Sequence, residues 1–219
     1  MRGNPSLKNI SLIFTGDEYR DGLSTISKVL GEKNVKGAFF VTGKFLEDEY
    51  SKRLLKKLYK KGHYVGPHSD QHLLYAPWDD RDSLLVTKEQ FCEDLEDNIK
   101  KLEQIGIPNG EIFVPPYEWY NKEIVNWANQ LGFKVYNFTP GLRTAADYTY
   151  PEMDNKYMSS DKILNQLYDY EKLNGINGHI ILVHIGTDSR RTDKLYNRLG
   201  QLIEELQSKN YIFVPLENL

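Results

Sequence analysis

A single cysteine is all that this chain of 219 residues carries, so no intramolecular disulfide can staple it and the hydrophobic core must supply the stability. Cys92 lies in a segment of helical spacing and reads as a packed thiol rather than a nucleophile. Long apolar runs are also missing. No stretch approaches the ~20 residues that a membrane-spanning helix needs, and the opening "MRGNPSLKN" lacks the apolar core of a signal peptide. Positive charge is not in excess either: 28 Lys and Arg face 31 Asp and Glu for a net charge of −3. The basic residues are scattered along helical segments, with no stripe to neutralise a phosphate backbone. Neither a membrane nor a nucleic acid is therefore an expected partner. The remainder, 40% hydrophobic and 27% charged, suits one α/β domain over residues 1–219.

Short β-branched and aromatic runs alternate with longer segments of helical period, the pattern of a mostly parallel sheet. Seven strands are expected: Ile10–Phe14, Ala38–Val41, His63–Val65, Ile112–Val114, Lys134–Phe138, Ile180–His184 and Tyr211–Val214. Helices are expected over Ser51–Lys61, Thr87–Ile105, Asn121–Leu131, Ser160–Glu171 and Asp193–Lys209. Thr87 with Gln90 three residues on is a capping-box signature. Two long inserts, Ser69–Val86 and Pro140–Ser159, are aromatic and polar and read as loops that shape a site.

Chemically capable residues gather after the strand ends: "TGDE", "GPHSDQH", "PPYEWYN", "TPG" and "HIGTD". An open doubly wound sheet collects ligands at its switch point, whereas a barrel brings nearly all its strand C-termini together. Five contributing strands favour barrel-like closure. The first of these stretches, "FTGDE", admits three readings: a carboxylate dyad, a metal ligand with a bystander, or a plain turn. In the second, His68 and His72 are spaced i, i+4, which puts both imidazoles on one side if the loop coils into a helical turn. Two neutral imidazoles with a carboxylate make an open zinc or late-transition-metal site, although loop histidines that bond nearby backbone have the same spacing. His63 is expected to anchor structure and His179 to be exposed.

"GHYVGPHSDQH" resembles the Gly-His-x-x-Gly-x-His-Ser/Thr-x-x-His segment of the polysaccharide deacetylase (NodB homology) family of carbohydrate esterases. "VKGAFFVTG" (Val35 to Gly43) resembles the family's second strand, "FVPPYEWYN" its Arg-x-Pro segment, and "IILVHIG" (Ile180 to Gly186) its Leu-x-His segment. The order is the family's, over nearly the whole chain. The resemblance implies a distorted, incomplete (β/α)7 barrel. It also implies a divalent metal, zinc with cobalt or nickel as alternatives, held by one Asp and two His, here Asp17, His68 and His72. The implied reaction removes acetyl groups from a polysaccharide or oligosaccharide. By position, Tyr117 would supply a backbone N–H to the oxyanion and His184 the acid, with Asp147 in "TAADYTYPEM" a candidate to orient it. Glu118, Trp119 and Tyr148, together with Tyr117 and Asp147, fall on the expected substrate side of the pocket, and Trp78 joins them as a flat ring suited to sugar faces. A polysaccharide substrate would place the protein outside the cytoplasm.

The first motif departs from the family's Thr-Phe-Asp-Asp, in which the first Asp is the base and the second binds metal. In one register Asp17 is the metal ligand and Gly16 replaces the base; in the other Asp17 is the base and Glu18 the ligand. The family's Arg that pairs with the base is Val114 here. A buried Arg without a carboxylate partner would be costly, so joint loss of base and Arg favours the first register. Glu18 is then a substitute for the missing base, and Glu118, where the family commonly has Gly, is a second carboxylate entering the pocket. A positioned base contributes ~10²–10⁴-fold, so a weakened or inactive carbohydrate-binding relative is the alternative.

Overall fold

The computed structural model describes residues 2–219. Among the described residues, seven strands and six α-helices largely alternate: β1 Asn9–Gly16, α1 Leu23–Glu32, β2 Gly37–Val41, α2 Glu49–Lys60, β3 Tyr64–Pro67, α3 Lys88–Gln104, β4 Ile112–Phe113, α4 Lys122–Gln130, β5 Lys134–Val135, α5 Ser160–Asn174, β6 Ile180–His184, α6 Leu199–Ser208 and β7 Ile212–Phe213. All pairings are parallel, in the order β3-β2-β1-β6 with β7 alongside the start of β1, while β4 and β5 pair only with each other.

The barrel is incomplete, and side chains span its two gaps. Between β3 and β4 the Tyr64 hydroxyl donates to the Ile112 carbonyl at 3.2 Å and accepts from the Ile112 N–H at 2.9 Å. Between the chain after β5 and β6, the Thr139 N–H donates to the Ile180 carbonyl and the Ile180 N–H donates to the Thr139 hydroxyl, each at 3.0 Å. These bonds satisfy backbone groups that a closed ladder would otherwise pair.

The strands are apolar on both faces because one face lines the barrel and the other meets the helices. Ile13, Ala38, Phe40, Ile112, Val114, Ile180 and Leu182 pack together inside. Leu12, Phe14, Phe39, Val41, Ile181 and Val183 alternate with them and pack outward with α1, α2, α5 and α6. A third cluster, including Phe91, Leu95, Phe113, Ile124 and Phe133, seats α3 and α4 on the β4-β5 pair. The capping box of α3 is present, with Thr87 and Gln90 each accepting from the other's backbone N–H.

Several expectations need correction. Helix α1 was not expected; its N-terminal Gly22 makes no side-chain cap, so the usual start signal is missing. β5 ends at Val135 rather than Phe138, because the chain turns away to bridge to β6 through Thr139. Helix α6 begins only at Leu199, after a 3-10 turn over Leu195–Arg198. His179, expected at the surface, is 1% exposed, its ring against Tyr170. His63 does anchor structure: it is buried and its Nδ1 accepts from the Gly37 N–H at 3.2 Å.

Candidate functional site

Parallel pairing brings the C-terminal ends of the strands to one edge, and the register sets Thr15 beside His184. Asp17, just past β1, is therefore placed at the same mouth as His184. Its Oδ1 accepts from the Thr42 hydroxyl at 2.9 Å, and its Oδ2 lies 3.7 Å from His72 Nδ1. Glu18 turns outward: its side chain is 59% exposed, with Lys44 Nζ at 4.0 Å.

The stretch from His68 to His72 is not the helical turn that the spacing suggested. Ser69 and His72 have positive φ, 76° and 55°, and this tight loop sets the two imidazoles 5.2 Å apart between ring centroids. Positive φ at non-glycine residues costs energy that the surroundings must over-determine. Helix α3 does so. Asn98 Oδ1 accepts from the His68 N–H at 2.9 Å, and the Asp94 carboxylate accepts from the Gln71 N–H at 2.8 Å, the Asp70 N–H at 3.2 Å and the Ser69 hydroxyl. His68 Nδ1 donates to the Val114 carbonyl at 2.6 Å, which fixes the tautomer and leaves Nε2 as the basic nitrogen. Burial holds the His68 imidazole well below the ordinary histidine range. It also lowers His72, against the opposing pull of Asp17.

Across the mouth, His184 Nδ1 donates to Asp147 Oδ1 at 2.5 Å while its backbone N–H donates to Oδ2 at 3.0 Å. Burial disfavours the imidazolium, but the charge and hydrogen bond of Asp147, with a further contribution from Glu118, raise the His184 pKa above the usual value. The loop carrying Asp147 is tied down by fully buried Arg191, which donates to the carbonyls of Thr149 and Met158 and to the Ser160 hydroxyl.

After β4, Tyr117 and Glu118 both adopt left-handed backbone, φ 57° and 53°. The Tyr117 ring lies 4.3 Å from that of His72, and its N–H makes no hydrogen bond among the described residues. Burial pushes the Glu118 carboxyl up to about 7, with His184 opposing and Asp147 adding to the rise.

These groups surround a cavity of about 540 Å³ lined by Asp17, Glu18, His68, His72, Tyr117, Glu118 and His184, with Trp78, Tyr148 and Tyr150 at the rim. Trp78, Tyr117 and Tyr148 are 60%, 44% and 50% exposed. Two residues expected on the substrate side lie behind the wall. Asp147 is buried beneath His184, and Trp119 backs Trp78, its Nε1 donating to the Pro77 carbonyl at 3.1 Å. Sequence reasoning missed Thr42, Asp94, Asn98 and Arg191, which do not line this cavity but set its walls. Asp94 and Asn98 left a readable trace, since both interrupt the buried face that Phe91, Leu95 and Leu102 define on α3.

A divalent metal suits the donor types here. The imidazoles are neutral, one ring is oriented by a backbone carbonyl and the carboxylate is oriented by Thr42. Two ligand atoms at ~2.0–2.1 Å from a tetrahedral ion lie roughly 3.3 Å apart, a few tenths less than the 3.7 Å between Asp17 and His72. As placed, however, the described residues form no ready-made group of three or more His, Cys, Asp or Glu around an ion position.

Solved structures of family 4 carbohydrate esterases share this fold. The CE4 family pseudoenzyme BA3943 from Bacillus anthracis superposes with a TM-score of 0.77 at 19% identity, over 100% of this chain and 67% of that one. A family model described as polysaccharide deacetylase matches residues 2–136, and the chain belongs to that family. Its relatives include the peptidoglycan-N-acetylmuramic acid deacetylase PdaA of Bacillus subtilis, 24% identical over 219 residues, 99% of this chain and 73% of the relative. An uncharacterized 30.6 kDa protein of Geobacillus stearothermophilus is 25% identical over 218 residues, 99% of this chain and 72% of the relative.

Proposed function

We propose that the protein is a metal-dependent deacetylase acting on an acetylated polysaccharide or oligosaccharide. One observation carries this reading: Asp17, His68 and His72 and the Asp147-oriented His184 face a single cavity with an aromatic rim. Asp17, rather than the outward-turned Glu18, lies beside His72, which supports Asp17 as the carboxylate ligand in a set with His68 and His72. A divalent ion bound there, zinc or alternatively cobalt or nickel, supplies Lewis acidity and lowers the pKa of water.

The rest falls to the chain's own groups. The Tyr117 N–H is free to donate to an oxyanion, and the His184 imidazolium gives its proton to the leaving nitrogen or oxygen. Trp78 and Tyr148 offer flat faces with polar tips to sugar rings. Such a substrate implies work outside the cytoplasm. Acetate release from acetylated chitin, xylan or peptidoglycan fragments, with zinc, cobalt or nickel supplied and lost in His184→Ala, is the expected result. No release from any of them sinks the reading.

A second reading, a carbohydrate-binding relative without turnover, is favoured by Gly16. A Cβ there would lie 2.7 Å and 2.8 Å from Phe45 ring carbons and 2.9 Å from Ile185 Cδ1, so apolar side chains crowd the place of the family's base. The relative BA3943 carries the description of a pseudoenzyme. Glycan binding with no turnover, unchanged in His184→Ala, would decide for this reading.

A further inference from the structure

We infer that Glu118 is the general base of this site, replacing the carboxylate that β1 does not supply. The assignment rests on the deacetylase reading above. It begins with what is closed off. The position of Gly16 is walled by Phe45 and Ile185, and Val114, where the family has the partner Arg, is wholly buried in the apolar barrel interior. Any base must therefore enter from another strand end.

Three acids without a role in the metal set line the cavity, Glu18, Glu118 and Asp188, and Asp188 is engaged, accepting from the Arg190 guanidinium and from the Tyr19 hydroxyl. Glu18 has a side chain 59% exposed with Lys44 nearby, a solvated acid. Glu118 is part-buried, and its carboxylate makes no hydrogen bond or ion pair among the described residues. Its backbone is clamped in an unfavourable conformation: Asn137 Nδ2 donates to the Glu118 carbonyl at 2.9 Å, and the Glu118 N–H donates to the Pro115 carbonyl at 3.0 Å. Strain held in place by its surroundings while the acid is left unpartnered in the cavity is the signature of a positioned functional group.

The electrostatics agree. The charged groups that act on Glu118 are His184 from β6 and Asp147 from the turn behind it; Asp17, Glu18, His68, His72 and Asp188 line the cavity around it. Burial raises the carboxyl to about 7, near the operating pH at which a base is most effective, while Asp147 and Glu118 raise His184. The influence is mutual: the Glu118 carboxylate favours the His184 imidazolium, and the imidazolium favours the carboxylate, the pairing that a base and an acid require.

In the reaction, a water molecule gives one proton to the Glu118 carboxylate as its oxygen bonds to the acetyl carbonyl carbon. The C–N or C–O bond then breaks as the His184 proton passes to the leaving atom. Acetic acid and the free amine or hydroxyl depart, and exchange of one proton restores Glu118 and His184. No electron changes hands.

The test uses the full-length protein with zinc and the acetylated glycan on which the wild type is active. Glu118→Gln should lower kcat by ~10²–10⁴-fold and abolish the acid limb of the kcat/KM profile near pH 7, and formate should restore part of the rate to Glu118→Ala. Independently of turnover, ¹³C NMR of the metal-free protein should show one glutamate carboxyl titrating near 7 that vanishes in Glu118→Gln. An active wild type with Glu118→Gln within about threefold of it, or a Glu118 carboxyl titrating in the ordinary glutamate range, overturns this assignment alone. A wild type that releases no acetate from any probe overturns the deacetylase reading and this assignment with it.

Discussion

The Asp147 carboxylate receives two hydrogen bonds from one residue: the ring Nδ1–H of His184 at 2.5 Å and its backbone N–H at 3.0 Å. The backbone bond fixes where the carboxylate sits, and the ring bond fixes the tautomer, so Nε2 is the nitrogen free to carry a proton toward the cavity. Asp147→Asn keeps the shape but loses the charge that favours the imidazolium. We expect kcat to fall by on the order of 10²-fold or more and the alkaline limb of the pH–rate profile to move to lower pH. An alkaline limb left in place would show that Asp147 does not hold the proton on His184.

Restoring the family's first motif by Gly16→Asp should not create a better enzyme. The new Cβ meets two ring carbons of Phe45 and the Cδ1 of Ile185, all under 3.0 Å. Overpacking of this kind costs ~1–3 kcal/mol, and with Val114 in place of the family's Arg the added charge would lack that partner. A melting temperature lowered by roughly 2–4 °C per kcal/mol, with turnover no higher than wild type, is the expected outcome. A gain in turnover from this change alone would contradict the crowding described here.

Most residues that gather at the cavity could be picked out in the sequence, and the bounds of the elements less evenly so, for reasons in the physics of each. Strands such as Ile180–His184, apolar on both faces, announce themselves, and Thr87 with Gln90 marked the start of α3. The chemistry of His68, His72 and His184 is intrinsic to residue type and order. Which of Asp17 and Glu18 faces His72 was legible only as a preference for Asp17, because the direction of a side chain past a strand end depends on Thr42 and on neighbouring loops. The support role of Trp119, fixed by its bond to Pro77 forty-two residues away, was not legible.

The choice between the two carboxylates can be read from metal-linked stability. An ion that binds the folded state at 100 times its dissociation constant stabilises by ~2.7 kcal/mol, which is roughly a 5–10 °C rise in melting temperature for a chain of this size. Adding zinc should give such a rise in the wild type and in Glu18→Gln, and not in Asp17→Asn or His68→Ala. The reverse pattern, with Asp17→Asn shifted by zinc and Glu18→Gln unshifted, would hand the ligand role to Glu18.

His63 gives the protein an acid-sensitive element remote from the cavity. Its Nδ1 accepts from the Gly37 N–H at 3.2 Å, so protonation there would turn an acceptor into a donor facing a donor. Burial and nearby Lys36 lower its pKa from 6.5 to about 4. Between these values the unfolded chain binds the proton and the folded chain does not, so stability falls as pH drops from about 6.5 to about 4 and levels off for this group below that. Unfolding free energies from urea titrations should therefore decline with acid more steeply in the wild type than in His63→Gln. The slopes should differ by up to about 1.4 kcal/mol per pH unit, the value for one proton. Parallel curves across that window would mean that His63 takes up its proton without opposing the fold.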